Sequence, residues 1–156
     1  MSSGDGDGGL VLFAYDGSDF ARRAIEEAGR QLRTGRAALV LSVVTPLESI
    51  PFWGGPFSTI PAEVAEDIFG SATEVAEEGA ALARGAGFEA EAAVERGYPV
   101  WSEIVEAAER HRAGLVVLGS HGRTGFRHVL LGSVASAVVE HSKRPVLIVH
   151  AGGASS

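Results

Sequence analysis

Gly119-Ser120-His121-Gly122, with Gly132-Ser133 after nine intervening residues, is the group in this chain best suited to chemistry. It runs from an all-apolar stretch, Leu115 to Leu118, into a short apolar stretch, Val134 to Val139, which read as a strand and a helix. Glycines let backbone N–H groups approach a phosphate with no Cβ in the way, and a helix N-terminus adds partial positive charge. Ser133 places a hydroxyl there, either to cap the helix or to touch a phosphate oxygen. The chemistry implied is anion binding, in particular a nucleotide pocket. Arg123 and Arg127 flank the loop and suit phosphates, although solvated loop cations would have the same sequence. His121 and His128 have no carboxylate orienter nearby in sequence and read as solvent histidines. Asp16 follows the apolar run Leu10 to Tyr15 and is either a site carboxylate or a simple helix cap.

Other catalytic constellations are missing. The sequence has no Gly-x4-Gly-Lys-Ser/Thr loop, no Gly-x-Ser-x-Gly elbow, no His-Glu-x2-His pair and no Gly-x-Gly-x2-Gly after a strand. The glycine loop contains neither lysine nor an evident general base, whereas phosphoryl transfer needs a positioned nucleophile and charge-neutralising cations. Binding without preferential stabilisation of a transition state does not make a fast enzyme. Gly4 to Gly9, with Asp5 and Asp7, precedes its strand, and no glutamate closes a calcium loop, so residues 1–9 read as a flexible tail.

Composition sets the frame. The 156 residues suit one domain, over 10–151, with a second short tail over 152–156. Apolar residues make up 46% and charged residues 21%, as in ordinary globular chains. A formal charge of −7 disfavours nucleic acid, whose phosphates are bound mainly by neutralising Lys and Arg. The absence of cysteine excludes disulfides, thiol catalysis and thiolate metal sites. No signal-peptide pattern and no membrane-length apolar run is present, so a cytoplasmic protein without membrane association is expected.

The elements that must position the loop alternate along the chain. Leu10 to Tyr15 and Ala38 to Val44 are apolar runs, as expected of strands covered on both faces. Asp16-Gly17-Ser18-Asp19 ends the first and supplies caps for a helix with Phe20, Ala24, Ala28 and Leu32 four residues apart. Thr45 to Pro61, with four of the six prolines and Phe52, Trp53 and Phe57, reads as a loop, either folded back on the body or available as a lid or docking segment. A long helix should bury Val64, Ile68, Ala72, Val75, Gly79 and Leu82 and stop near Gly85 and Gly87. Phe88 to Glu95 alternates apolar and acidic residues, as a half-exposed edge strand would. After Gly97-Tyr98-Pro99 come a third helix ending near His111, the strand Leu115 to Leu118, the short fourth helix, and a fifth strand, Val146 to Val149. Five strands alternating with four helices imply an α/β fold, a three-layer sandwich around a parallel sheet.

The spaced pattern resembles a known family. A first strand ending in Asp16, Gly97-x-Pro99 before the third helix, the Gly-x2-Gly-x9-Gly-Ser signature and Arg144-Pro145-Val146 are together similar to the universal stress proteins, from about Leu10 to Val149. The resemblance implies strand order 3-2-1-4-5, a homodimer formed through the last strands (Pro145 to His150), and the family's ATP-binding subgroup. It implies that Ala14, Tyr15 and Val43 flank adenine and that Asp16 lies by the ribose or near a divalent metal, Mg2+ or Mn2+. Gly119, Gly122, Gly132 and Ser133 would wrap the phosphates, with Leu118, His121, Arg123 and Val134 completing the set. Two departures stand out: Ala113 replaces a frequent Asp before the fourth strand, and Ala135 replaces a frequent hydroxyl residue. The function implied is a nucleotide-dependent stress-response regulator with slow or no hydrolysis. The alternatives are a nucleotide-independent dimeric interaction protein and a slow ATPase or phosphotransferase.

Overall fold

A computed structural model describes residues 9–46, 61–122 and 131–150. The order is β1 (Leu10–Ala14), α1 (Asp19–Gln31), β2 (Ala37–Val44), α2 (Ala62–Gly85), β3 (Glu89–Arg96), α3 (Val100–Arg110), β4 (Ala113–Gly119), α4 (Ser133–His141) and β5 (Val146–Val149). All strand pairs are parallel, in the order β3-β2-β1-β4-β5. The two terminal tails (apart from Gly9) and the Pro51 to Phe57 aromatic segment lie outside the described residues.

Period-two alternation divides the strand side chains between two cores. Val11 and Phe13 of β1, with Tyr15 just beyond its end, join Val40 and Val117 on one face, under Ala24, Ile25 and Ala28 of α1 and Ala80 and Ala83 of α2. Leu12, Leu41, Val116 and Leu118 face the other way, against Ile104 and Ala107 of α3 and Val138 of α4. The result is the three-layer sandwich expected of alternating strands and helices. Central strands β1, β2 and β4 carry apolar runs because both of their faces are covered.

The long helix differs from the sequence expectation. Val64 and Ile68 are exposed, and the fully covered positions begin only at Ala76. The cause is length: 24 residues make a rod of about 36 Å, whereas an eight-residue strand spans about 26 Å. The first turns of α2 overshoot the sheet. Each edge is distinct: β3 has Glu89, Glu91 and Arg96 exposed, whereas β5 is an uninterrupted Val-Leu-Ile-Val.

Candidate functional site

Strand order reverses between β1 and β4, and the loops leaving their carboxyl ends diverge to opposite faces of the sheet. That geometry opens a crevice, the usual ligand position in an open α/β sheet. Here it is a cleft of about 670 Å³, within the size range of small-molecule sites.

The β1 side is fixed by backbone hydrogen bonds. Tyr15 N donates to Leu41 O (2.9 Å) and Ser42 Oγ donates to Tyr15 O (2.8 Å), extending the register one residue past the strand. The chain then turns: Asp16 Oδ1 accepts from Ser18 N (2.9 Å), and Ser18 Oγ accepts from Ala21 N (3.2 Å) as the N-cap of α1. Asp16 therefore does not cap the helix. It shapes the turn before the cap and lines the cleft.

The β4 side explains its glycines separately. A Cβ on Gly119 would stand 2.8 Å from the backbone of Phe20, so this glycine lets β4 pass under the first turn of α1. Among the described residues, a Cβ on Gly122 would meet only Asp16 Oδ2, at 2.8 Å. Gly122 thus brings the two sides of the cleft together. Gly132 N donates to Ser120 O (2.7 Å) and Ser120 N to Val149 O (3.0 Å), tying the two ends of the loop to each other and the first of them to β5.

Two expectations about this loop are corrected. His121 is not a solvent histidine: it is half-buried, its Nδ1 lies 3.0 Å from Oγ of the buried Ser120, and its ring tilts against Phe20 at 5.1 Å. Ser133 does not cap α4, because Gly132, which has no side chain to offer, occupies the N-cap position. Ser133 is the first helical residue, exposed, at a terminus whose leading N–H groups have no intrahelical acceptor and carry partial positive charge.

Ala14, Tyr15, Asp16, Val43, Leu118, Gly119, His121, Gly122, Gly132, Ser133 and Val134 all line the one cleft, whereas Arg123 lies outside the described residues, as do Arg127 and His128. Ala135, noted in the sequence for its missing hydroxyl, lines the cleft too, and sequence inspection missed Ala21, Leu41, Val100, Ile104 and Leu131, which complete the lining. Each is apolar on a core-facing side, so nothing in its type separates it from ordinary core. The lining thus combines apolar side chains from β2, α3, Leu118 and the start of α4 with the polar side chains of Asp16, His121 and Ser133. Among the described lining residues there is no Lys or Arg. Among the described residues no three His, Cys, Asp or Glu side chains gather as a metal cluster, and no helix is long and apolar enough to cross a membrane.

The model of the universal stress protein family matches residues 10–150. Over 144 residues the chain is 30% identical to a universal stress protein of Methanocaldococcus jannaschii, spanning 89% of this chain and 80% of that one. It also superposes on a universal stress protein solved in complex with cAMP, with TM-score 0.63 and 26% identity over 91% of this chain and 97% of that one. A universal stress protein of Archaeoglobus fulgidus solved in complex with dAMP gives TM-score 0.57 and 25% identity, covering 90% of this chain and 95% of that one.

Proposed function

The chain belongs to the universal stress protein family, and we propose that it is an ATP-binding regulator of the stress response whose state follows nucleotide occupancy. The observation that carries this is the mixed lining of the cleft at the switch point of the sheet. Leu41, Val43, Val100, Ile104 and Leu118 offer apolar surface for a base, while Asp16, Gly122 and the start of α4 offer polar groups. The residues present fit the ligand. Gly122 leaves open the space beside Asp16 that a side chain would fill, and the first turn of α4 supplies N–H donors and partial positive charge for phosphate. Asp16 is a single carboxylate, which suits Mg2+ or Mn2+ held chiefly by phosphate oxygens and water. Two structural relatives were solved with cAMP and dAMP, which supports an adenine ligand.

Hydrolysis is slow or absent in this reading. The described lining has no lysine or arginine to neutralise charge developing on a transferring phosphoryl group, and His121 Nδ1 is already engaged by Ser120. The protein acts as a homodimer through β5, whose Val146, Leu147 and Ile148 are only half covered within one chain. The test is calorimetric titration of ATP, with mass spectrometry of whatever the denatured protein releases. Wild-type protein should bind and Gly122→Val should not, with unchanged circular dichroism. Equal affinity in the two proteins would refute the site. A monomeric mass at micromolar concentration would refute the dimer, and turnover that survives repurification and vanishes in Asp16→Asn would favour an ATPase.

A further inference from the structure

Tyr15 belongs to both sides of the sheet. Its backbone lines the cleft, but its ring lies in the opposite core, among Val11, Phe13, Ala24 and Ala80 beneath α1 and α2. There α2 comes unusually close: a Cβ on Gly79 would stand 2.7 Å from Tyr15 Cδ1 and from Val40 Cγ1. The ring passes under this bare point of the helix, and its hydroxyl donates to Oε1 of the adjacent Glu78 at 2.7 Å. The same oxygen accepts from Arg22 Nε (3.1 Å) and lies 3.0 Å from an outer guanidinium nitrogen, while Arg22 also reaches Asp19 Oδ1 at 3.1 Å.

One carboxylate oxygen on α2 therefore holds both ends of the segment 15–22. Inside that bracket lie Asp16 and the turn it closes with Ser18. We propose that Tyr15, Glu78 and Arg22 form a latch that positions Asp16 for the ligand, making Glu78 and Arg22, on the helical layer away from the cleft, positioning residues for nucleotide binding. The proposal rests on the nucleotide reading given above. A short hydrogen bond to a carboxylate is among the stronger neutral-donor contacts, and it fixes direction as well as distance. Burial, and then the bond to Glu78, push the Tyr15 phenol up to about 12, so it remains a neutral donor across the physiological range. The latch is thus always made from the Tyr15 side, and Glu78 and Arg22, each nearly half exposed, form the end that solvent reaches.

The experiment combines a mutant cycle with a ligand-free measurement. Tyr15→Phe and Glu78→Ala should each weaken ATP binding about tenfold, the usual consequence of losing one strong hydrogen bond. Glu78→Gln, which keeps an acceptor oxygen, should recover most of the affinity. In an Asp16→Asn background Tyr15→Phe should change nothing further, because the group it positions is gone. An equal loss in both backgrounds would overturn the latch, as would Glu78→Gln being as weak as Glu78→Ala. In the ligand-free protein, NMR should show the Asp16 carboxyl and the Gly17 and Ser18 amide resonances moving in Tyr15→Phe. Unmoved resonances would overturn the latch even if wild-type protein bound no nucleotide, an outcome that would by itself refute only the nucleotide reading.

Discussion

Helix α2 contains two glycines whose replacement by alanine should act in opposite directions. Gly70 is exposed in mid-helix, and among the described residues a Cβ there meets nothing within 4 Å. Alanine is better than glycine in a helix interior by about 1 kcal/mol, so Gly70→Ala should stabilise by about 0.5–1 kcal/mol. Gly79 gains the same propensity term but must admit a carbon 2.7 Å from Tyr15 Cδ1 and Val40 Cγ1, about 1 Å inside ordinary carbon contact. Neither neighbour yields cheaply. Val40 is fully buried in β2 with a stiff β-branched side chain, and the Tyr15 ring is held at its far end by Glu78. Overpacking of this kind costs about 1–3 kcal/mol, which outweighs the propensity gain and leaves Gly79→Ala less stable than wild type by about 1 kcal/mol. Because propensity cancels between the variants, their difference isolates the steric cost. Urea unfolding should separate their midpoints by roughly 0.5–1.5 M at a slope of about 2 kcal/mol/M, with unchanged slopes. Stabilisation of equal size in both variants would refute the close approach of α2 to Tyr15, and with it the packing on which the latch depends.

Two further outcomes follow from the same geometry. Gly119→Ala drives a carbon to 2.8 Å from the Phe20 backbone and should destabilise by about 1–3 kcal/mol, whereas Gly122→Ala, which among the described residues touches only Asp16 Oδ2, should leave the urea midpoint nearly unchanged while weakening ATP binding; a fold broken equally by both would contradict the division between structural and ligand-facing glycines. The Tyr15 phenol ordinarily ionises near 10.0 and in the fold near 12, so its contribution is whole below pH 10 and is lost as the pH rises through 12. Allowing for screening at the half-exposed Glu78 end, up to about 2 kcal/mol should disappear between about pH 10 and about pH 12, and Tyr15→Phe should flatten that limb of the stability curve.

The sequence announces the sheet because burial on both faces forces apolar runs, and it announces β3 as an edge because one exposed flank lets Glu89 and Glu91 alternate with Ala90 and Ala92. Periodicity could not show that α2 outruns its strands. Val64 and Ile68 have the right spacing, but spacing says nothing about how far the neighbouring layer extends. The polar lining of the cleft was readable in the glycine spacing and Asp16. The apolar lining was not, since Leu41, Val100 and Ile104 are the residues any core would use. Ser120 and the side chain of Tyr15 escaped for a related reason. Their roles depend on partners: Ser120 N on Val149 O, which is 29 positions away (149 − 120), and the Tyr15 hydroxyl on Glu78, 63 positions away.

The unlike borders of the sheet also limit how large an assembly can grow. If two copies join through β5, a two-fold operation uses the same apolar strand on both, and the sheet becomes a continuous ribbon of twice five strands. Its new borders are then two copies of β3, each with exposed Glu89 and Glu91 projecting at alternate positions. A third molecule would have to bring its own carboxylates alongside these, and like charges opposite each other across strands are destabilising. In such a pair growth would stop after the first addition. The acidic strand at one end of the chain's own sheet would then act as a terminator, separating a closed pair from an open-ended fibre.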